Sequence, residues 1–173
     1  MLKHFFFLLI ILVGYGQITH AQPKDFCSGV LGVLSYAPNK FRDIKDSTID
    51  ANPYGIIWAT KVSIPGSIRC RLVSAMGIRY EAALFQTMSL EQLQESYNKY
   101  KGMLKDCLLS KEYKLSNSDN FYPGLGNYKK LMFTKAAPAD TTDNTLPPPH
   151  VSMEVDYLKT TGAYTIIMDI WEH

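Results

Sequence analysis

Residues 54–84, YGIIWATKVSIPGSIRCRLVSAMGIRYEAAL, carry the pattern that decides the fold. Apolar residues alternate with polar or small ones along three runs, and Pro65-Gly66 and Met76-Gly77 separate the runs as turn signals. A period of two places one side of each run in a core and the other side in solvent. The stretch therefore predicts an antiparallel meander of three strands. The core-side positions are Ile56, Trp58, Thr60, Val62, Ile64, Ile68, Cys70, Leu72, Ile78, Tyr80, Ala82 and Leu84.

A helix follows this meander directly. Ser89-Leu90-Glu91-Gln92 is a capping box, with the cap residue Ser89 and a Gln three residues later. From there to about Leu109, apolar residues recur at intervals of three and four, which predicts one buried stripe. Its members are Leu90, Leu93, Tyr97, Tyr100, Leu104, Cys107 and Leu108.

A first helix precedes the meander, over Asp25 to Ile44, where the apolar residues again share one helical stripe. Asp25 suits the N-cap, and Pro38 should kink or divide this helix. Gly29 and Gly32 weaken a helix, and their usual reason is a close packing partner.

Three more strands close the chain, near 128–135, 150–157 and 163–171, after a loop at 116–127 and a Pro-rich loop at 136–149. The predicted fold class is α+β: an antiparallel sheet of about six strands with two helices packed on one face, in the order α-β-β-β-α-β-β-β.

This element order resembles that of the small bacterial secretion chaperones, which run helix, three strands, helix, two strands. The resemblance covers roughly residues 25–157 and rests on element order alone. It implies an α+β fold and a chaperone-like binding role.

Residues 1–21 have the layout of a secretory signal peptide. Lys3 precedes the apolar run from Phe5 to Val13, and Thr19 and Ala21 place small residues before a cleavage point. The run is shorter than the roughly 20 residues that a membrane span needs. We therefore expect an exported protein, periplasmic or extracellular, with a single domain at 22–173 and no membrane span in the mature chain.

Charge and motifs exclude several function classes. Removing residues 1–21 removes Lys3 and no acid, so the formal charge falls from +2 to +1, which argues against general nucleic-acid binding. Only His150 and His173 remain, without a close Cys pair, so we expect no metal and no cofactor. No catalytic motif is present, and an enzyme would have to use the Cys27 thiol or a loop carboxylate pair.

The three cysteines allow one bridge in an oxidising compartment. Cys70 and Cys107 both point inward at the predicted sheet–helix interface, so we expect Cys70–Cys107. The alternatives are Cys27–Cys107 and three reduced cysteines.

The outward sides of the strands carry a charge pattern. One reading is a solvated face whose opposite charges pair across strands. The other is a basic half of the face that receives an acidic partner or an anionic ligand. Separately, the loop aromatics and the proline run at 146–149 could supply a docking edge for a protein or peptide. The partner-binding candidates are Lys61, Arg69, Arg71, Arg79, Phe121 and Tyr122, and the acids opposite them are Glu81, Glu154, Asp156 and Asp169.

The sequence thus favours an exported, non-enzymatic module that holds a protein or peptide, such as an inhibitor, an immunity protein or a chaperone. One alternative is a small-ligand carrier with a pocket between helices and sheet near Trp58, Tyr80 and Tyr97. Another is a small hydrolase-type enzyme.

Overall fold

The computed structural model describes residues 23–75, 77–118, 130–135 and 149–172. Within these residues, two α-helices and eight strands follow one another in an order that repeats a helix and four strands. The elements are α1 Pro23–Leu34, β1 Lys45–Asn52, β2 Gly55–Thr60, β3 Arg69–Ser74, β4 Ile78–Thr87, α2 Leu90–Leu109, β5 Tyr113–Ser118, β6 Lys130–Lys135, β7 His150–Leu158 and β8 Ala163–Trp171.

All eight strands belong to one antiparallel sheet in the order β1-β2-β3-β4-β8-β7-β6-β5. From each edge to the centre, the sheet runs through four consecutive strands, β1 to β4 on one side and β5 to β8 on the other. The two halves meet where β4 pairs with β8. Each half is a helix followed by a four-stranded meander. The prediction of two helices and an antiparallel sheet is confirmed, but the sheet has eight strands instead of about six, and the element order is wrong.

The two missed strands, β1 and β5, form the edges of the sheet. Nearly every β1 residue is exposed, so β1 lacks the alternation that marks a half-buried strand. With these two strands, the order also departs from the helix, three strands, helix, two strands of the secretion chaperones.

The first helix is shorter than predicted. It ends at Leu34, and two short 3₁₀ turns follow, at Ala37–Asn39 and Arg42–Ile44. Pro38 lies in the first turn, where it cannot continue an α-helix. Phe41 and Ile44 remain buried despite this break, so their place on the predicted stripe reflects core packing.

The Ser89 N-cap of the second helix is confirmed, but the reciprocal half of the capping box is not formed, because the Ser89 N–H donates to Thr87 Oγ1 and the Gln92 side chain accepts from Thr87 Oγ1. Ser89 Oγ accepts a hydrogen bond from the Gln92 backbone N–H at 3.4 Å, and the helix ends at Leu109 as predicted. Leu93, Leu104 and Leu108 are buried on its inner side.

The core lies between the helices and one face of the sheet. Phe26 of α1 contacts the Tyr100 ring of α2 at 5.7 Å between centroids, and the Phe41 ring lies 6.4 Å from that of Tyr80 on β4. Neither described helix is long and apolar enough to cross a membrane. The predicted signal peptide, 1–21, lies outside the described residues.

The disulfide joins Cys27 of α1 to Cys107 of α2, so the predicted Cys70–Cys107 bridge is wrong and its alternative is correct. The helices pack against each other, and the two Cα atoms lie 5.4 Å apart, within bonding range. Cys70 is a free thiol whose Sγ lies 3.0 Å from Ser67 Oγ. An internal disulfide is compatible with an oxidising compartment.

Candidate functional site: the charged face of the sheet

The side of the sheet that faces away from the helices carries a group of charged and aromatic side chains on β3, β4, β8 and β7. On β4, Tyr80 and Ala82 join the core, so alternation directs Arg79 and Glu81 to the opposite side. We call this group the charged face. Its members are Arg69, Arg71, Arg79, Glu81, His150, Ser152, Glu154, Asp169 and Trp171.

Strand register places these side chains in rows across the sheet. Arg71 pairs with Glu81, Glu81 with Asp169, and Asp169 with Ser152. In the next row of the same face, two residues away along each strand, Arg79 pairs with Trp171, and Trp171 pairs with His150. Residues distant in sequence therefore become direct neighbours because β8 lies between β4 and β7.

Glu81 is the centre of the charged face. Its Oε1 lies 2.6 Å from Arg71 Nη2 and 3.8 Å from Arg69 Nη2, and its Oε2 lies 3.6 Å from Arg79 Nη2. Arg79 also reaches Asp169, with Nε 3.2 Å from Oδ1. Buried carboxylates require such partners, since an unpaired buried charge is strongly destabilising.

The carboxylates lie beneath the guanidinium groups. The Glu81 and Asp169 side chains are each only 4% exposed, whereas Arg69 is 57% exposed, Arg71 26% and Arg79 21%. The accessible part of this cluster is therefore cationic, although acids and bases are nearly balanced within it.

Trp171 contacts the two neighbours in its row, Arg79 and His150. The Arg79 guanidinium carbon lies 5.1 Å from the Trp171 ring centroid, and the His150 ring stacks on Trp171 at 5.8 Å with an interplanar angle of 12°. Cation–π attraction and ring stacking together fix the position of the Arg79 side chain.

Asp169 has a carboxyl group with an abnormal affinity for protons. Burial raises its pKa to about 7, the Arg79 guanidinium opposes this rise, and the neighbouring Glu81 and Glu154 carboxylates add to it. The Lys130 ammonium, which pairs with Glu154 at 3.1 Å, also opposes the rise. Asp169 therefore exchanges a proton near neutral pH.

Buried polar atoms without a hydrogen bond concentrate on this face. Ser152 Oγ is fully buried, and neither it nor Trp171 Nε1 has a hydrogen-bond partner. Native structures leave few such atoms unpaired, so each requires an explanation. In the described part of the chain, three such atoms on the charged face have neither a hydrogen bond nor an ion-pair contact: Arg71 Nε, Ser152 Oγ and Trp171 Nε1. Arg79 Nε, Glu81 Oε1 and Asp169 Oδ1 also lack a hydrogen bond but take part in the ion pairs described above.

The structure brings together three of the predicted partner-binding residues, Arg69, Arg71 and Arg79. Lys61 follows the end of β2 and makes no ion pair with another described residue. Phe121 and Tyr122 lie outside the described residues. The predicted pairing of opposite charges across strands is observed in these ion pairs.

Sequence reasoning missed Ser152 and Trp171 as members of the site. Their alternation with core residues on β7 and β8 places them on the same side as Glu154 and Asp169, so the signal was present. That these strands meet β4 in the middle of the sheet could not be read from the alternation.

The aromatic residues predicted to line a ligand pocket, Trp58, Tyr80 and Tyr97, are buried within the core. Tyr80 donates its hydroxyl hydrogen to the Val62 carbonyl at 2.9 Å, and Lys45 Nζ lies 3.6 Å from the Trp58 ring centroid. A depression of about 340 Å³ lies elsewhere, beside the disulfide. Its lining residues are Lys24, Cys27, Ser28, Met103, Asp106 and Cys107.

Among the described residues, no group of three or more His, Cys, Asp or Glu side chains is placed to hold a metal ion. Comparison of the chain with protein-family models, with curated proteins and with solved structures found no significant match.

Proposed function

We propose that this protein is an exported binding module that holds a protein or peptide partner on the charged face of its sheet. The observation that carries the proposal is the cluster of Arg69, Arg71 and Arg79, whose guanidinium groups are the accessible part of this face above two buried carboxylates. Accessible guanidinium groups gathered in one place are suited to bind the acceptor groups of a partner.

The residue types on the face support a binding role. Arg and Trp are enriched among the residues that contribute most to protein–protein affinity, and they act where a well-packed centre excludes water. Here Arg79 and Trp171 are held against each other, which lowers the entropy that a partner must remove on binding.

The exported location is supported by two features of different kinds. Residues 1–21 have the charged, apolar and small-residue layout of a signal peptide, and Cys27 and Cys107 form a disulfide bond. Disulfides persist in oxidising compartments and are rare in the cytosol.

Site-specific photo-crosslinking of the full chain in its source cells tests this function. A photoreactive residue at position 69, on the charged face, should form a specific adduct with one protein, whereas the same residue at position 42 should not. Arg42 is a matched control because it is an exposed arginine on the connection between α1 and β1. Equal adducts from both positions, or none from position 69, would contradict the proposal.

A further inference from the structure

We infer that the partner presents a short acidic segment, and that Arg69, Arg71 and Arg79 hold its carboxylates as a guanidinium cluster organised by Glu81. This inference rests on the proposed function and names the chemistry of the partner. The guanidinium groups come from the neighbouring strands β3 and β4, so one small region of the face presents all three.

Glu81 positions the three guanidinium groups without exhausting their hydrogen-bonding capacity. Each arginine approaches the Glu81 carboxylate with its Nη2 atom. The distance is 2.6 Å for Arg71, 3.6 Å for Arg79 and 3.8 Å for Arg69. A guanidinium has five N–H donors, so these contacts leave donors for a second acceptor. Arg71 makes the shortest of the three contacts, and its side chain is still 26% exposed.

The charges around Glu81 favour an anionic partner. Three guanidinium groups meet two carboxylates, Glu81 and Asp169, and the exposed groups of this cluster are the guanidinium groups. Lys130 and Glu154 pair with each other at 3.1 Å, so they leave this balance unchanged. Carboxylates also suit arginine because the planar fork can bind both oxygens together.

The flanks of the cluster favour a short acidic protein segment over a nucleic acid. The exposed Asp156 lies on β7, only two strands from β4, and would repel a polyanion that continued across the sheet. Nucleic-acid binding uses a basic stripe that neutralises many phosphates, whereas this chain has a formal charge of only +2.

The test is the binding of fluorescein-labelled decaglutamate to the full chain, measured by fluorescence anisotropy. We expect saturable binding that weakens with salt, and a loss of at least about tenfold in affinity in the Arg69→Gln/Arg71→Gln double variant. Arg42→Gln removes one exposed positive charge elsewhere, as Arg69→Gln alone does on the face, and should leave the affinity unchanged. Arg71→Lys keeps the positive charge but loses the planar guanidinium that can bind two carboxylate oxygens. It should therefore retain part of the affinity.

Thermal unfolding of each variant identifies those that remain folded, and Arg69→Gln alone provides a second test because this side chain is mostly exposed. Absence of decaglutamate binding, or equal binding by the double variant and wild type, would overturn the inference. Tighter binding of labelled decathymidylate would replace an acidic protein segment with a nucleic acid. If the adduct from position 69 persists while decaglutamate fails to bind, the partner chemistry is wrong and the binding function stands.

Discussion

Arg79 Nε lies 3.2 Å from Asp169 Oδ1, and this contact crosses the β4–β8 pair at the centre of the sheet. The same arginine reaches Glu81 with Nη2, so one guanidinium is shared between two buried carboxylates. Burial is the main reason that Asp169 keeps its proton to a higher pH than an ordinary aspartic acid, and the nearby Glu81 and Glu154 carboxylates add to the effect.

The first prediction concerns the pH dependence of stability. The pKa of Asp169 is raised from 3.8 to about 7, mainly by burial, so the native state binds this proton more tightly than the unfolded chain does. Its stabilising contribution is complete below about pH 4 and is lost as the pH rises through about 7. The full loss is about 4 kcal/mol in the free energy of unfolding.

Asp169→Asn cannot ionise, so it should flatten this slope and be more stable than wild type at about pH 8. Urea unfolding at several pH values measures both effects. Asp156→Asn, at an exposed position on β7, is the control and should keep the wild-type slope. An unchanged slope in Asp169→Asn would show that another group carries the dependence.

The second prediction concerns Glu81. Glu81→Gln removes the charge that compensates three arginines, and we expect it to lower the free energy of unfolding by about 3 kcal/mol. The remaining guanidinium groups repel one another, so added salt should stabilise this variant more than wild type. Chemical unfolding at low and high salt measures this, with the exposed Glu95→Gln of α2 as a control. Equal salt responses would indicate that the arginines find other counter-charges.

The third prediction separates two glycines of α1. A Cβ atom at Gly29 would lie 2.6 Å from Pro65 Cδ, whereas one at Gly32 would meet nothing within 4 Å. Gly32→Ala should stabilise the protein by about 1 kcal/mol through helix propensity. Gly29→Ala should destabilise it by about 1 kcal/mol because the clash exceeds that gain. Thermal unfolding of both variants is the measurement, and equal shifts would contradict the close contact.

The fourth prediction concerns the disulfide. Peptide mapping without reductant should recover Cys27 joined to Cys107, and only Cys70 should react with an alkylating agent after unfolding. Because the bridge spans a sequence separation of 80, its reduction should cost about 4 kcal/mol in stability. Cys70→Ser should retain the bridge and its stability under reductant-free conditions. A Cys70–Cys107 peptide would refute this pairing.

Much of the fold could be predicted from local pattern. The N-cap at Ser89 fixed the start of α2, and alternation located β3, β4, β7 and β8 because each has one buried side. The edge strands could not be found this way. An exposed strand such as β1 is held mainly by backbone hydrogen bonds to its neighbour, which leave no hydropathy signal.

The candidate site was predicted only in part. The sequence indicated that Arg71, Arg79 and Asp169 face outward, but their meeting depends on the pairing of β4 with β8, which no local pattern encodes. The disulfide error has a similar origin. Cys70 and Cys107 both pack at the core, but the direction in which Cys107 points depends on the position of α1 beside α2.

The strand order has a consequence for how the chain folds. The N-terminal half can form its meander as soon as residues 78–87 are available, but the outer edge of β4 has no partner until residues 163–171 arrive. During synthesis, each half-sheet therefore carries an unpaired edge at the future centre of the sheet. Such edges recruit other chains, and pairing between distant segments is slow. Strand β8, residues 163–171, pairs with both β4 and β7 and so covers both edges at once. A chain truncated before residue 163 would leave the edges of β4 and β7 unpaired and prone to aggregation.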